Sequence, residues 1–191
     1  MTALFTERLR LEPLRASDAA RLLAPLQDPA LYTYLPEDPP TAEALQRRYD
    51  FWEGGLSPDG EERWLNWVVS LRCEETPIGT FQATIPMEGE GSFAYLVFPS
   101  FWRRGYAREM ARCVLSHLFE RYAPSRLYAE IDTRNLASIA LVESLALERI
   151  ATTRDADFFK GASSDEHRYA ISREAWARAH GASASTSPEP S

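Results

Sequence analysis

The spacing of apolar and polar positions divides the chain into strand-like and helix-like segments. Short runs that alternate, or that are rich in β-branched and aromatic residues, predict strands over 7–15, 64–72, 78–85, 91–98, 126–133, 147–159 and 165–172. Apolar residues that recur every three or four positions predict helices over 17–27, 41–53, 104–122 and 136–146. Because strands and helices interleave along the chain, the pattern predicts an α/β fold.

The predicted helix over 104–122 has one apolar face and one charged face. Its apolar positions are Ala107, Met110, Ala111, Val114, Leu115, Leu118, Phe119 and Tyr122, and its opposite face carries Arg104, Arg108, Arg112, Glu120 and Arg121. The apolar face is therefore predicted to be buried. Ser17 and Thr41 stand just before the first two helices and are predicted to be their N-caps.

Length and composition favour one folded unit. The chain has 191 residues, of which 45% are hydrophobic and 26% are charged, and this suits a single domain over 1–180. Residues 181–191, GASASTSPEPS, are small, polar and proline-containing, so they are predicted to be a disordered tail. The two cysteines, Cys73 and Cys113, are interpreted as buried reduced thiols.

Charge and hydropathy narrow the classes of partner. A formal net charge of -7 argues against binding to a nucleic acid backbone and suits cationic small molecules or basic proteins. No signal peptide and no membrane-spanning apolar run is recognisable, so a cytoplasmic protein without a membrane partner is expected. The three histidines are scattered without metal-ligand spacing, and no metal is predicted.

The first candidate site is the short connection before the helix over 104–122. The apolar strand AYLVF ends at Phe98, and only Pro99 to Arg103 separate it from the start of the helix. A helix N-terminus offers unpaired backbone N–H groups and a partial positive charge, and Gly105 lets an anion approach them closely. Two interpretations are open: a phosphate cradle, or a glycine that merely eases the turn.

These residues resemble the signature of the GNAT superfamily of N-acetyltransferases. That signature is Gln or Arg, two residues, Gly, one residue, then Gly or Ala, after a strand that ends in Val-x-Pro. Val97 and Pro99 match the strand end, and Gly105 and Ala107 match the two small residues. Trp102 stands in place of the Gln or Arg, which leaves the backbone cradle unchanged because its donors belong to the main chain.

A second segment resembles the RimJ/RimL-like branch, the N-terminal acetyltransferases of ribosomal proteins. The matching positions, in order and spacing, are Asn135, Ser138, Leu141, Glu143 and Leu145. The similarity extends over about residues 7–176. Ala146 and Leu147 stand where the branch has Gly-Phe, so the end of this helix is expected to be reshaped.

The resemblance implies a fold, a cosubstrate and a reaction. The fold is a mixed, largely antiparallel sheet of six to seven strands flanked by about four helices, in which parallel strands 4 and 5 splay apart. The reaction is transfer of an acetyl group from acetyl-CoA to a primary amine by direct attack in a ternary complex, without a metal. The implied cofactor-binding residues are Val97, Arg103, Arg104, Gly105, Tyr106, Ala107, Arg108 and Asn135.

The residues that move protons are less certain from the sequence, and several alternatives stay open. Glu130 and Asp132 share one face of a strand with Tyr128, so either carboxylate is a candidate base, as is a water. The alternative interpretation is that both are solvated carboxylates on the polar side of the strand. Asn135 and Ser138 form a simple helix-capping arrangement. By resemblance, Ser138 is also a candidate acid for the departing thiolate, because this helix lacks the tyrosine that many superfamily members use.

Three functions are compatible with the sequence. The first is acetylation of a protein N-terminus, the second is acetylation of a small amine such as a polyamine, an amino acid or an aminoglycoside, and the third is binding of acyl-CoA without catalysis. Asp165 and Glu166, at the start of the last strand, are candidates for attracting a cationic acceptor or are simply exposed carboxylates. A homodimer is a further expectation that the resemblance brings.

Overall fold

A single sheet of eight strands forms the centre of the computed structural model, which describes residues 1–181. The strands are β1 (Leu4–Phe5), β2 (Leu9–Pro13), β3 (Glu62–Leu71), β4 (Pro77–Pro86), β5 (Glu90–Val97), β6 (Arg126–Asp132), β7 (Glu148–Phe159) and β8 (Ala162–Ser172). They lie in the order β1-β2-β3-β4-β5-β6-β8-β7. Every neighbouring pair is antiparallel except β5 and β6. The predicted mixed sheet is confirmed, and β1 adds a strand too short to leave a pattern in the sequence.

Five α-helices flank the sheet: α1 (Asp18–Leu26), α2 (Ala42–Trp52), α3 (Tyr106–Arg121), α4 (Leu136–Ser144) and α5 (Arg173–His180). The first four lie within the predicted ranges. Helix α5 was not predicted, because only Trp176 of this short helix is buried and a single apolar position gives no periodic pattern in the sequence. No helix in residues 1–181 combines the length and apolar character that a membrane crossing requires.

The predicted N-caps have different outcomes. The hydroxyl oxygen of Thr41 accepts the N–H of Ala44 at 3.2 Å, which confirms it as the cap of α2. Ser17 stands at the N-cap position of α1, as predicted, but its side chain forms no capping hydrogen bond. The carboxylate of the next residue, Asp18, accepts the N–H of Arg15 at 2.8 Å and so pairs one backbone donor just before the helix.

Two apolar clusters hold the helices on the sheet. The larger cluster joins strands β2 to β6 and β8 to α3, and it contains all the buried residues of α3: Met110, Ala111, Val114, Leu115, Leu118 and Phe119. The smaller cluster joins α1 and α2 to Val68 and Phe98. The apolar face predicted for α3 is therefore buried, and burial of this kind is the main term that stabilises the fold.

The parallel pair separates along its length. β5 and β6 pair only where Glu90, Gly91 and Ser92 lie opposite Arg126, Leu127 and Tyr128. Beyond these residues the two strands are unpaired, and a gap opens between them towards the N-terminal ends of α3 and α4. The predicted splaying of the central parallel strands is confirmed, with the two strands now numbered β5 and β6.

Cysteine placement corrects one prediction, and the chain end lies outside the description. Cys113 is a half-buried free thiol on α3, but Cys73 is exposed, because it lies in the turn between β3 and β4. The prediction of a buried thiol at Cys73 is wrong. The disordered tail predicted for 181–191 falls, apart from Gly181, outside the described residues.

Candidate active site

The connection from β5 to α3 leaves a run of backbone N–H groups without partners. Gly105 is the N-cap of α3, and both Arg103 and Gly105 have left-handed backbone, with φ of 59° and 80°. The first helical bond runs from the N–H of Glu109 to the oxygen of Gly105 at 3.1 Å. No N–H from 103 to 108 donates to another backbone group of residues 1–181, and no side chain caps the helix. These donors, at the positive end of the helix dipole, form a concavity suited to an anion.

The N-terminal segment fixes this loop from one side. In the first turn of α3, the carboxylate of Glu109 accepts the hydroxyl of Thr6 at 2.5 Å and the N–H and Nε of Arg8 at 3.0 and 2.6 Å. Arg8 also donates to the oxygen of Arg104 and lies over the ring of Tyr106. Burial raises the pKa of Glu109, but these hydrogen bonds outweigh it and lower the pKa overall. The carboxylate is therefore ionised and bound to Thr6 and Arg8, and it leaves the N–H concavity free.

The side chains of the loop leave this concavity to the backbone. Arg103 and Arg104 are exposed, and the Arg104 guanidinium lies over the Phe101 ring at 5.6 Å. Arg108 donates to the oxygen of Ser144, at the end of α4, at 3.3 Å. Arg103 and Arg104 thus add positive charge at the entrance, whereas Arg108 offers its backbone N–H and directs its side chain to α4.

The side chain of Trp102 forms a hydrogen bond with one backbone carbonyl at the end of β5. Its indole N–H donates to the oxygen of Val97 at 2.5 Å, while 46% of the residue stays exposed. A tryptophan at this position therefore ties the loop back onto the strand. The carbonyl of Val97 is partly engaged, and the N–H of Val97 is the group left for an incoming ligand.

The gap between β5 and β6 presents further backbone groups. β5 stays paired with β4 as far as Val97, and the N–H of Phe98 donates to the oxygen of Ile78 at 2.8 Å. Residues in an antiparallel pair alternate between bonding across the pair and pointing away from it. The backbone groups of Tyr95 and Val97 therefore point into the gap, where an extended chain would meet them as it would meet the edge of a sheet.

The loop over 103–108, which suits an anion, lies at the mouth of the gap between the splayed parallel strands β5 and β6. A comparison of sequences agrees with this arrangement. A family model described as an acetyltransferase (GNAT) domain matches residues 8–148. The chain belongs to the GNAT acetyltransferase family. It is 24% identical over 177 residues to an uncharacterized N-acetyltransferase, p20, of Bacillus licheniformis, an alignment that covers 93% of this chain and 99% of the relative.

Solved GNAT structures share the fold at low identity. One is spermidine N-acetyltransferase from Vibrio cholerae in complex with CoA and spermine, with a TM-score of 0.76, 19% identity and coverage of 90% of this chain and 99% of that one. Another is RimL, a ribosomal L7/L12 alpha-N-protein acetyltransferase in complex with coenzyme A, with a TM-score of 0.77, 16% identity and coverage of 90% and 98%. At these identities the likeness shows the fold alone, so the RimJ/RimL-like branch is still a prediction.

As a GNAT enzyme, the protein is an acetyltransferase that depends on acetyl-CoA, and its residues fit that cosubstrate. The unpartnered N–H groups of 103–108 suit a diphosphate, and the free backbone groups of Tyr95 and Val97 suit the amides of pantetheine. Acetyl-CoA supplies the activated acyl group. The protein would supply groups that orient the thioester and groups that accept and donate protons. Within residues 1–181, no group of three or more metal-binding side chains is present.

At the start of α4, the predicted capping arrangement is present. The side-chain oxygen of Asn135 accepts the N–H of Ser138 at 3.1 Å. The side-chain oxygen of Asn135 is therefore bound to its own helix. The predicted contact with the cofactor would use the side-chain NH₂ group of Asn135 or its backbone groups. The hydroxyl of Ser138 stays available on the first turn, beside the side chain of Tyr95 on β5. Tyr95 was not among the sequence-predicted site residues, because apolar neighbours on both sides made it resemble an ordinary core position.

The carboxylates of β6 and β8 differ in their suitability as bases. Asp132 accepts hydrogen bonds from Arg134 and Ser164, and the Arg134 bonds, more than any other cause, lower its pKa to about 2. It is therefore a poor base. Glu130 is exposed and forms no salt bridge within residues 1–181. Glu166, half-buried on β8, has its pKa raised by burial and then by the nearby charge of Glu130.

A groove lies on the sheet face opposite α3. It has a volume of about 270 Å³ and is lined by Gln82, Ala83, Thr84, Ser92, Phe93, Ala94, Tyr128 and Glu130. Arg168, which lies opposite Glu130 in the strand register, instead places its guanidinium 3.7 Å from the Tyr128 ring centroid. Since Ala94 and Glu130 also border the gap between β5 and β6, the groove and the gap meet there.

The tip of the β7–β8 hairpin contacts the connection between α1 and α2. The ammonium group of Lys160 donates to the carbonyls of Tyr32 and Leu35. Next to it, the ring of Phe159 lies under the guanidinium of Arg134, which follows β6. The hairpin tip therefore contacts both the connection from α1 to α2 and the segment that follows β6.

Proposed function

We propose that this GNAT enzyme acetylates the N-terminal α-amino group of a protein or peptide, within the RimJ/RimL-like branch. One observation carries the proposal: Glu130, the carboxylate lining the groove where it meets the gap, is exposed and forms no ion pair with another residue of 1–181. A lone carboxylate beside the acceptor suits an amine that is already partly neutral, because only the last proton has to be accepted. An α-amino group has a pKa of about 7.7 to 8.0 and an alkylammonium about 10.4, so at pH 7 the neutral fraction differs by roughly 300-fold.

In the proposed mechanism, the loop over 103–108 holds the diphosphate and the N–H of Val97 orients the thioester. The neutral amine attacks the carbonyl carbon, and Glu130, directly or through a water, accepts the proton that the nitrogen loses. A backbone N–H at the end of β5 stabilises the oxyanion that forms. The C–S bond then breaks, and the hydroxyl of Ser138 donates its proton to the departing sulfur. Glu130 then releases the amine proton to water and Ser138 takes up a proton from water, so charge and protons balance.

A polyamine is the second candidate acceptor, and a specific observation favours it. Glu130 and Glu166 lie on the same face of the sheet, and the charge of Glu130 contributes to raising the pKa of Glu166. Two such carboxylates would attract a substrate that carries several positive charges. We also propose a cytoplasmic location and a homodimer, on the resemblance to the family alone.

The test measures CoA release with acetyl-CoA and a panel of amines. We expect peptides with free N-termini to exceed spermidine at least tenfold in kcat/KM, and the same peptides with blocked N-termini to be inert. Because the neutral amine reacts, kcat/KM for a peptide should rise with pH up to about 8 and then level off. A preference for spermidine would replace the first candidate by the second.

The base is tested by substitution in the same assay. We expect Glu130→Gln to lower kcat by about 100-fold, the usual worth of a positioned proton-transfer group, with little change in the KM for acetyl-CoA. Glu166→Gln identifies the base instead if it has the larger effect. Glu88→Gln, in the exposed turn between β4 and β5, is the matched control and should be neutral. If all three variants retain kcat within a few-fold, no carboxylate on this face is the base.

A further inference from the structure

A row of four residues crosses the sheet face opposite α3 and ends beside the proposed base. The residues pair in register across four strands: Tyr128 of β6 with Ser92 of β5, Ser92 with Thr84 of β4, and Thr84 with Trp64 of β3. Paired residues of neighbouring strands direct their side chains to the same face. Neighbouring strands lie about 4.8 Å apart, so the row is about 14 Å long. Glu130 lies two residues beyond Tyr128 on the same face of β6, beside one end of the row.

Polar side chains line the middle of this row. Thr84 and Ser92 border the groove together with Gln82, and all three residues are half-buried. Neither the two hydroxyls nor the Gln82 amide takes part in a side-chain hydrogen bond within residues 1–181. These groups donate as well as accept. They therefore suit a peptide backbone, whose N–H and C=O groups need both kinds of partner, better than a protonated polyamine, which offers donors alone.

An aromatic pair lies at the far end of the row. The rings of Phe51, in the last turn of α2, and Trp64 meet edge to face, with 5.1 Å between their centroids. The indole N–H of Trp64 donates to the Glu62 carboxylate at 3.1 Å, which fixes that ring. Phe51 is nevertheless 54% exposed. An apolar side chain of a ligand would bind here favourably, because it would remove apolar surface from water and add to the aromatic packing.

The position of this pair distinguishes it from other exposed apolar residues. Single exposed apolar side chains are ordinary on folded proteins. Phe5 and Phe158 are 57% and 71% exposed, but they lie on β1 and β7, at the two edges of the sheet and away from the row. Phe51 and Trp64 are instead continuous, through Thr84, with the groove that Glu130 lines.

We infer that this face binds the N-terminal segment of the acceptor as an extended peptide that crosses the strands along the row, with the side chain of about its fifth residue against Phe51 and Trp64. The inference rests on the proposed function, because it places the α-amino group at Glu130. An extended chain advances about 3.4 Å per residue, so roughly four residues span the row. The acceptors expected from this geometry are proteins with a large apolar side chain near the fifth position.

The experiment measures kcat/KM for CoA release with octapeptides that have a free N-terminus. The peptides consist of serine and glycine, and a single phenylalanine stands at the second, fifth or eighth position or is absent. We expect phenylalanine at the fifth position to raise kcat/KM by about tenfold over the peptide without it, because its ring is buried against the aromatic pair. At the second or eighth position the gain should stay below about threefold. An equal gain at all three positions, or none at the fifth, overturns the inference.

Variants of the enzyme locate the binding site. In Phe51→Ala the advantage of phenylalanine at the fifth position should fall below about twofold, while kcat/KM for the peptide without phenylalanine stays unchanged. Phe5→Ala removes a similarly exposed ring on the edge strand β1 and should keep the full advantage. An advantage that persists in Phe51→Ala overturns the inference. Acetylation of all four peptides at one rate would overturn the inference alone, whereas acetylation of spermidine and of none of the peptides would overturn the proposed function and this inference with it.

Discussion

Two residues with left-handed backbone, Arg103 and Gly105, turn the N–H groups before α3 outwards. At Gly105 the φ of 80° is costly for any residue with a side chain, and an added Cβ would lie 3.4 Å from the Arg8 guanidinium. The glycine is therefore required by its backbone conformation. The positive φ fits a glycine that eases the turn, and the unpartnered N–H groups of 103–108 fit the phosphate cradle that we propose.

We expect Gly105→Ala to weaken CoA binding by tenfold or more, measured by calorimetry, because the Cβ distorts the cradle and enters it. Gly60→Ala is the matched control, since Gly60 has a φ of 75° but no neighbour within 4 Å. Both variants should lose about 1 to 2 kcal/mol of stability. Equal CoA affinity in the two variants would show that the cradle does not bind the coenzyme.

Ala146 carries the same kind of strain without any role in binding. It ends α4 with a φ of 64°, at the position where the resemblance expects a glycine, and the N–H of Leu147 returns to the oxygen of Val142 at 3.1 Å. The expected reshaping of this helix end is absent: alanine adopts the glycine-like conformation instead.

Replacing Ala146 by glycine should therefore raise the free energy of unfolding by about 0.5 to 1 kcal/mol, measured by urea denaturation. The strain relieved is larger than the entropy that glycine adds to the unfolded chain. Ala140→Gly, in the interior of the same helix, should do the opposite by a similar amount. A loss of stability in both variants would mean that α4 does not end in this way.

At the scale of elements, the junction of β6, β8 and α4 depends on one carboxylate. Asp132 accepts the N–H and guanidinium of Arg134 and the hydroxyl of Ser164 on β8, at 2.8, 2.9 and 2.6 Å. The carbonyl of Asp132 also accepts the N–H of Asn135, so the strand leads directly into the cap of α4. Asp132 is thus a structural residue of the site, although sequence spacing made it a candidate base.

Asp132→Asn should lower stability at neutral pH by about 2 kcal/mol, because the pKa of about 2 lies well below the ordinary value of 3.8. A depressed folded-state pKa stabilises the protein above the unfolded pKa, and this contribution disappears as the pH falls from about 4 to 2. The difference between wild type and variant in urea melts should shrink over that window. A difference that is constant with pH would contradict the ionised network.

The sequence predicted helices and strands best where only one face of the element is buried. The helix α3 and the strand β6, whose Leu127, Ala129 and Ile131 enter the core, were placed within two residues of their observed bounds. The helix α5 left no such pattern, because one buried tryptophan does not define a face. The start of α1 after Ser17 was predicted correctly, although the Ser17 side chain forms no capping hydrogen bond.

At the scale of the whole molecule, local motifs lead to the proposed cofactor side of the site more directly than to the acceptor side. The loop over 103–108 is continuous in sequence, so its spacing carries its geometry. Tyr95, Arg8 and Glu109 reach the site from separate elements, and their roles depend on register and packing. The contact of Lys160 with the carbonyls of Tyr32 and Leu35 spans more than a hundred positions and has no local signal.

The measurement that tests the central claim most directly is a crystal structure of the protein with CoA. The account predicts the diphosphate within hydrogen-bond distance of the backbone N–H groups of 103–108 and the pantetheine between β5 and β6, with its amides on Tyr95 and Val97. A diphosphate bound elsewhere, or a pantetheine that does not enter the gap, would contradict it.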